Sequence, residues 1–294
     1  MTTEARHPGT TDLDTWPVER SLDAIVRGQE GAIAAVRDAL PALTRAARGL
    51  EERLARGGRL AYVGAGTSGR LARQDAAELP PTFGFERTVV LLAGGAAAGE
   101  KAREGAEDDA AEAIRAVDAA ALGPDDALIG VAASGGTPYT RAAVRRARER
   151  GAFTVGIANN PGAPLLRDAD VGVLLDTGPE VLAGSTRMAA GTAQKAALNA
   201  LSTVALVRLG GAYQNLMVGM RPVNDKLRGR ALRIVRDATG ADEAQARSAL
   251  AACGDRIRDA IVVVLTGVPP EVARARLEAA GERVRDAVEG PWPG

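Results

Sequence analysis

"RLAYVGAGTSGRLARQDAAELPPTFG", residues 59–84, runs from an unbroken apolar stretch through a glycine turn into an amphipathic segment that meets a proline pair. An apolar run without alternation suits a strand covered on both faces, as in a parallel sheet. Working outward, similar runs recur at 88–93 (TVVLLA), 127–132 (ALIGVA), 153–157 (FTVGI) and 171–175 (VGVLL). Amphipathic segments at 69–77, 100–118 and 138–150 separate the first four. Alternating strands and helices predict an α/β fold: a three-layer parallel sheet of about five strands with helices on both faces. Residues 31–55 read as a helix bent at Pro41, residues 1–16 as irregular, and 186–208 as a long alanine-rich helix.

From residue 226 the strand signal stops. The segments beginning "DKLRGRAL", "ADEAQARS", "DRIRDAIV" and "PPEVARAR" read as short helices, with Gly240, Gly254 and Gly267 at their ends and Asp242 and Asp255 near starts. The expected organisation is a ligand-binding domain over 1–225, including the N-terminal helical segment, and a helical subdomain over 226–294.

Composition narrows the chemistry. Charge is balanced at 37 basic and 37 acidic side chains in 294 residues, which argues against a general nucleic-acid binder. Cys253 is the single cysteine, so no intramolecular disulfide forms and a reducing, cytoplasmic setting is expected. The N-terminus lacks the apolar core of a signal peptide, and "AIVVVLTGV" is too short to span a bilayer, so it reads as a buried helix. His7 is the single histidine. A His/Cys metal centre is therefore not expected, and acid–base work falls to carboxylates, Lys or Tyr.

Two loops share a character. "GAGTSGR" (64–70) follows the first strand and "AASGGTPY" (132–139) the third. Each is glycine-rich, carries hydroxyls and opens into a helix. Glycine lets the backbone approach an anion, free N–H groups point at it, and the helix N-terminus adds partial positive charge. Neither loop is a Walker A motif, because no Lys follows the last Gly. "GAGTSG" has dinucleotide-loop spacing, but the next strand ends "LLAGG" without a ribose-binding acid. A phosphorylated small molecule is the expected ligand.

Together "YVGAGTSGRLARQDAAELPPTFG", "EGAEDDAAEAI", "AASGGTPY", "GPEVLAGSTRMAAGTAQKAALNALST", "NLMV" and "DATGADEAQARSALAACG" resemble the N-acetylmuramic acid 6-phosphate etherases, of the sugar isomerase (SIS) fold group. The likeness begins at "TEARHPGTTDLD" and extends to the C-terminal helices. It implies cleavage of the lactyl ether of N-acetylmuramic acid 6-phosphate in cell-wall (peptidoglycan) sugar recycling, a homodimer, and neither metal nor redox cofactor. It assigns Glu78 and Glu107 as the catalytic acid and base, and Thr67, Ser68, Ser134 and Thr137 as sugar-phosphate contacts, with Glu180 and Ser185 added. Alternatives on the same fold are a non-catalytic sugar-phosphate sensor and an aldose–ketose isomerase.

Two further expectations follow. A regular helix from Ser68 to Glu78 rises about 15 Å, more than a hexose phosphate spans between C6 and C3, so either the helix bends or Glu78 serves a partner's site, and the second is expected. The family pattern has arginine at the position of Gly136, lysine at Ala189 and commonly an acid at Gly219. The first two departures remove positive charge where an anionic substrate is expected.

Overall fold

The computed structural model describes residues 2–95 and 105–291. The chain divides into two compact units, one of Met1–Ala77 with Arg87–Ser202 and one of Glu78–Glu86 with Thr203–Gly294. The boundary expected at 225/226 thus falls inside the second unit. Residue 203 carries no compositional mark, because it lies within a helix whose alanine-rich pattern continues across it.

The first unit contains helices α1 (Val18–Asp38) and α2 (Leu40–Ala55), then strand β1 (Leu60–Gly64) and the start of helix α3 (Gly66–Phe83). It continues with β2 (Thr88–Leu92), α4 (Ala110–Ala119), β3 (Ala127–Val131), α5 (Pro138–Glu149), β4 (Phe153–Ala158), the short α6 (Leu165–Asp168), β5 (Val171–Leu174) and most of α7 (Ala189–Leu206). The five strands are parallel in the order β2-β1-β3-β4-β5. All five expected strands are present. Part of the segment expected at 100–118 lies outside the described residues.

The strand order reverses direction at β1, between β2 and β3. In open parallel sheets the crevice beyond the strand ends at such a switch point is where ligands bind. Register sharpens this: Gly64, the last residue of β1, pairs with Val131, the last of β3. The two glycine loops therefore leave the sheet side by side.

Packing follows the pleat. Ala61 and Val63 join a buried cluster with Ala113 and Val117 of α4 and Ala143, Val144 and Ala147 of α5. Tyr62, between them, points to the opposite face. There its hydroxyl donates to Asp75 Oδ2 of α3 at 2.8 Å. Asp75 Oδ1 accepts from Asn199 Nδ2 at 2.6 Å and Ser202 Oγ at 3.2 Å, both on α7. One buried carboxylate thus ties β1, α3 and α7. Burial, with the nearby Asp75, pushes the Tyr62 hydroxyl well above its usual pKa. At the other end of the sheet, Arg59 donates from its main chain and guanidinium to Asp126.

Helix α3 differs from the sequence expectation. It continues through Pro80 and Pro81 to Phe83 instead of ending at 77. The two prolines each lack an N–H, a loss the helix tolerates here near its end. Gly84, at φ 67°, then closes the last turn by donating to the Pro80 carbonyl at 2.9 Å.

The N-terminus also departs from the irregular segment expected. It forms 3₁₀ turns at Thr2–Glu4, Pro8–Thr10 and Leu13–Thr15. Thr3 is fully buried and exchanges hydrogen bonds with Asn160, which also donates to the Ala133 carbonyl. Pro41 sits at the start of α2, so the expected bend is a break between two helices.

The second unit contains a small antiparallel pair, β6 (Ala212–Tyr213) with β7 (Leu216–Met217), and helices α8 (Asp225–Thr239), α9 (Glu243–Ala252), α10 (Ile257–Thr266), α11 (Pro270–Ala279) and α12 (Val284–Glu289). Gly240 and Gly267 end α8 and α10 in the left-handed region. Asp242 opens α9 with a capping box through Gln245. Asp255 is not a cap: it sits at φ 60°, and Arg256 stands at the N-cap of α10. The core of this unit gathers Ile234, Val235, Leu250, Ile257, Ile261, Val262 and Leu277. No helix of the described residues is long and apolar enough to cross a membrane.

Candidate active site

The loop after β1 is shaped by close approach. A Cβ on Gly64 would stand 2.9 Å from the Gly69 backbone, and one on Gly69 would stand 2.7 Å from the Gly64 oxygen. Only glycine at both positions lets α3 start this close to the strand that precedes it. The first helical bond of the turn runs from Gly69 N to Ala65 O, which leaves the amides of Thr67 and Ser68 without a partner in the helix. The loop after β3 turns at Gly135, φ 62°, where a Cβ would fall 2.5 Å from that of Ala163. Thr137 is the N-cap of α5, yet its hydroxyl makes no capping bond. It remains available to a ligand, beside the α5 N-terminus.

Between these loops lies a cleft of about 460 Å³. Thr67, Ser68, Ser134, Thr137 and Thr186 supply hydroxyls, and Glu4, Glu107 and Asp108 supply carboxylates. Five of the eight expected site residues therefore line one cleft: Thr67, Ser68, Glu107, Ser134 and Thr137. Ser68 is buried, whereas Glu107 is exposed at the rim, on the 3₁₀ turn Ala106–Asp108. Ser134 Oγ accepts from Gly136 N at 3.1 Å, which orients it across the loop. Arg70 Nη2 donates to Thr67 Oγ1 at 3.4 Å, and among the described residues no arginine or lysine lines the cleft. Among the described residues lining the cleft, an anion meets hydroxyls and helix amides.

Glu180 and Ser185 are not among the lining residues. Glu180 is 1% exposed, and its two oxygens accept from Ala189 N and Ala190 N, each at 2.9 Å. It caps the N-terminus of α7, where a carboxylate complements the helix dipole. Ser185 holds the preceding turn through its main chain, accepting from Met188 N and donating to Leu182 O. Glu78 lies on α3, ten residues beyond Ser68, and is exposed.

Sequence reasoning missed Glu4, Asp108 and Thr186. Glu4 reaches the cleft because buried Thr3 anchors the N-terminal turn on Asn160, a contact spanning 157 residues that no local pattern announces. Among the described residues no group of three or more His, Cys, Asp or Glu could hold a metal ion.

Comparison with known proteins identifies the chain's relatives. An N-acetylmuramic acid 6-phosphate etherase of Deinococcus radiodurans is 54% identical over 90% of this chain and 88% of its own length. Those of Rubrobacter xylanophilus and Symbiobacterium thermophilum are 48% and 47% identical over 91% of this chain and 90% of theirs. This chain belongs to the N-acetylmuramic acid 6-phosphate etherase family. The SIS-domain profile matches residues 108–204, and that of the glucokinase regulatory protein N-terminal SIS domain matches 42–147. Among solved structures, a Bacteroides fragilis protein described as a phosphosugar isomerase involved in capsule formation aligns with TM-score 0.51 at 21% identity, covering 68% of this chain and 95% of that one. An E. coli CFT073 protein solved in complex with A5P aligns with TM-score 0.50 at 17% identity, covering 68% and 97%. These two establish the SIS-type fold.

The family's departures at two positions have a local physical setting. Gly136 is exposed, and a Cβ there would meet only Ser134 Oγ, at 3.7 Å. A longer side chain is sterically free at that position. Ala189 is 5% exposed, with its amide on the Glu180 carboxylate.

Proposed function

We propose that this etherase-family enzyme, a carbon–oxygen lyase, releases D-lactate from N-acetylmuramic acid 6-phosphate and leaves N-acetylglucosamine 6-phosphate. The observation that carries the reading is the meeting of Thr67, Ser68, Ser134, Thr137 and Glu107 in one cleft of a chain 54% identical to such an etherase.

The chemistry explains the residue types. An alkyl ether resists direct hydrolysis because its leaving group is an alkoxide. With the sugar ring open, the C1 aldehyde acidifies the C2 proton, and the lactyl oxygen sits on C3. Glu107 takes the C2 proton as the C3–O bond breaks, and Glu78 gives a proton to the departing lactyl oxygen. The resulting C2–C3 alkene is conjugated with the aldehyde. Water adds its oxygen at C3 and C2 regains a proton, so the sum is ether plus water giving sugar and lactate. The phosphate at C6 sits against the hydroxyls and free amides of the two loops, which fixes C2 and C3 for proton transfer.

Glu78 acts in this scheme in the partner subunit's site. Two features support a homodimer with shared sites: Glu78 is exposed on the single chain, and α1 presents Val18, Leu22 and Val26 at four-residue spacing, each 57 to 69% exposed. Only Ala32 and Ala35 of that helix are buried. Cytoplasmic action belongs to the same proposal, supported by the buried free thiol of Cys253.

Incubation with N-acetylmuramic acid 6-phosphate, with D-lactate measured, tests the reaction; Glu78→Ala is expected to abolish release. Mixing Ser68→Ala subunits with Glu78→Ala subunits tests sharing. Confirmed heterodimers that recover no activity would overturn it. The match to the glucokinase regulatory domain favours one second reading, a sugar-phosphate sensor. Tight binding of the hexosamine phosphate without turnover would select it.

A further inference from the structure

The second unit holds a cleft of about 590 Å³, within the size range of small-molecule sites, to which the reaction above assigns nothing. Four arginines line it, Arg221, Arg256, Arg258 and Arg274, against the acids Asp255, Asp259 and Glu282. Three of the four arginines are ion-paired. Asp259 accepts from Arg256 Nε at 2.6 Å and Arg274 Nη1 at 3.1 Å. Glu282 accepts from Arg258 Nη1 at 3.1 Å and also from Arg274 Nη2. Arg274 also donates from Nε to Glu278 at 3.1 Å, so three carboxylates serve three guanidiniums and Arg274 is shared among them.

Arg258 is the incompletely satisfied member. Its Nε is buried and has no hydrogen-bond acceptor. Its Nη2 lies against the Gly219 backbone, 2.9 Å from where a Cβ would stand, so residue 219 offers no side chain to neutralise it. Burial and the neighbouring Arg274 lower the Arg258 pKa, as expected of a cation short of counter-charge. Arg221 is exposed and makes no ion pair among the described residues. A third source of positive potential is the first turn of α10, Ile257–Asp259, which also lines the cleft and whose N-cap, Arg256, supplies no side-chain acceptor. Phe83, Val218, Met220 and Pro222 complete an apolar wall.

We propose that this cleft is a second binding site, which takes the phosphate group of a small phosphorylated molecule between Arg258, Arg221 and the uncapped start of α10. Donors arriving from three directions suit the three free oxygens of a phosphomonoester, and Arg forks bind such oxygens in pairs. The apolar wall takes the carbon skeleton. This site is separate from the hydroxyl cleft and does not depend on etherase activity.

The experiment is calorimetric titration of the full-length protein with inorganic phosphate, made in a Ser68→Ala/Ser134→Ala background to weaken the first cleft. A saturable binding event is expected to persist there, and Arg221→Ala or Arg258→Met is expected to weaken it about tenfold or more. Loss of all phosphate binding in the Ser68→Ala/Ser134→Ala protein would overturn the proposal. So would an affinity unchanged by either arginine substitution. Circular dichroism checks each variant; if Arg258→Met does not fold, Arg221→Ala, at an exposed and unpaired residue, decides alone. D-lactate release, measured in parallel on the arginine variants with intact Ser68 and Ser134, is expected to persist, so failure of this site and failure of the reaction are read separately.

Discussion

The two clefts of this chain solve the same electrostatic problem with different materials. Among the described residues, the cleft at the sheet edge is lined by five hydroxyl side chains and three carboxylates and by no arginine or lysine. The cleft of the helical unit is lined by four arginines and three acids. In the first, attraction for an anion comes from backbone amides that the glycine turns leave free and from the starts of α3 and α5. Such donors are fixed by the fold and carry no formal charge. In the second, attraction comes from guanidiniums, three of them held in ion pairs, and from the start of α10. A reacting site benefits from preorganised dipoles, whereas a binding site needs only net charge.

The sharpest way to break this contrast is to remove the groups that make the first cleft reactive. Glu107→Gln keeps the size of the side chain and removes its proton affinity, so D-lactate release is expected to fall about 10²- to 10⁴-fold, with the phosphate anchor intact. A fall confined to KM would show that Glu107 only binds, and the reactive character of the cleft would then lie elsewhere. Next in size are the anchors. Ser68→Ala and Ser134→Ala are each expected to raise KM about tenfold by removing one hydrogen bond to a charged group. Steady-state kinetics distinguish this from a kcat effect.

The frame behind the first cleft makes a smaller prediction. Tyr62→Phe deletes the bond to Asp75 that links β1 to α3, and should cost about 1–2 kcal/mol in denaturant unfolding. Tyr62 also has a pH signature. Its folded pKa is raised, so the unfolded chain releases this proton first, near pH 10, and the folded protein holds it longer. Unfolding is therefore favoured as pH rises above about 10, and below that pH the residue contributes no slope. Tyr62→Phe is expected to flatten the alkaline limb of the stability profile; an unchanged limb would remove Tyr62 from it.

What the sequence made legible follows from range. The five strands and the two glycine turns are local patterns, written in runs of apolar residues and in glycines that nothing else could replace. Hydroxyl positions within those turns came with them. Glu4 was not legible, because its place depends on Thr3 meeting Asn160 across the fold. Glu180 was read as a ligand contact, yet its surroundings engage it at the start of α7; no spacing rule separates a capping glutamate from a catalytic one. The proline pair misled in the other direction, since α3 runs through both residues before Gly84 stops it. The arginine cleft was equally hidden: arginines scattered on helices read as solvated faces, and only packing revealed that Arg258 lacks a full set of acceptors.

Moving a guanidinium into the first cleft gives the finest test of the contrast. Gly136 is exposed, takes an ordinary φ, and would admit a side chain beside Ser134. Gly136→Arg should therefore fold as before and add one cation near the phosphate anchor. A charge-assisted bond at an exposed site is partly screened, so KM is expected to fall only about three- to tenfold, and the gain should shrink as salt rises. If amide and hydroxyl donors already neutralise the phosphate, KM will stay unchanged at every salt concentration. That outcome would mean that the first cleft gains nothing from formal charge, and the division of labour between the two clefts would be stricter than their linings alone imply.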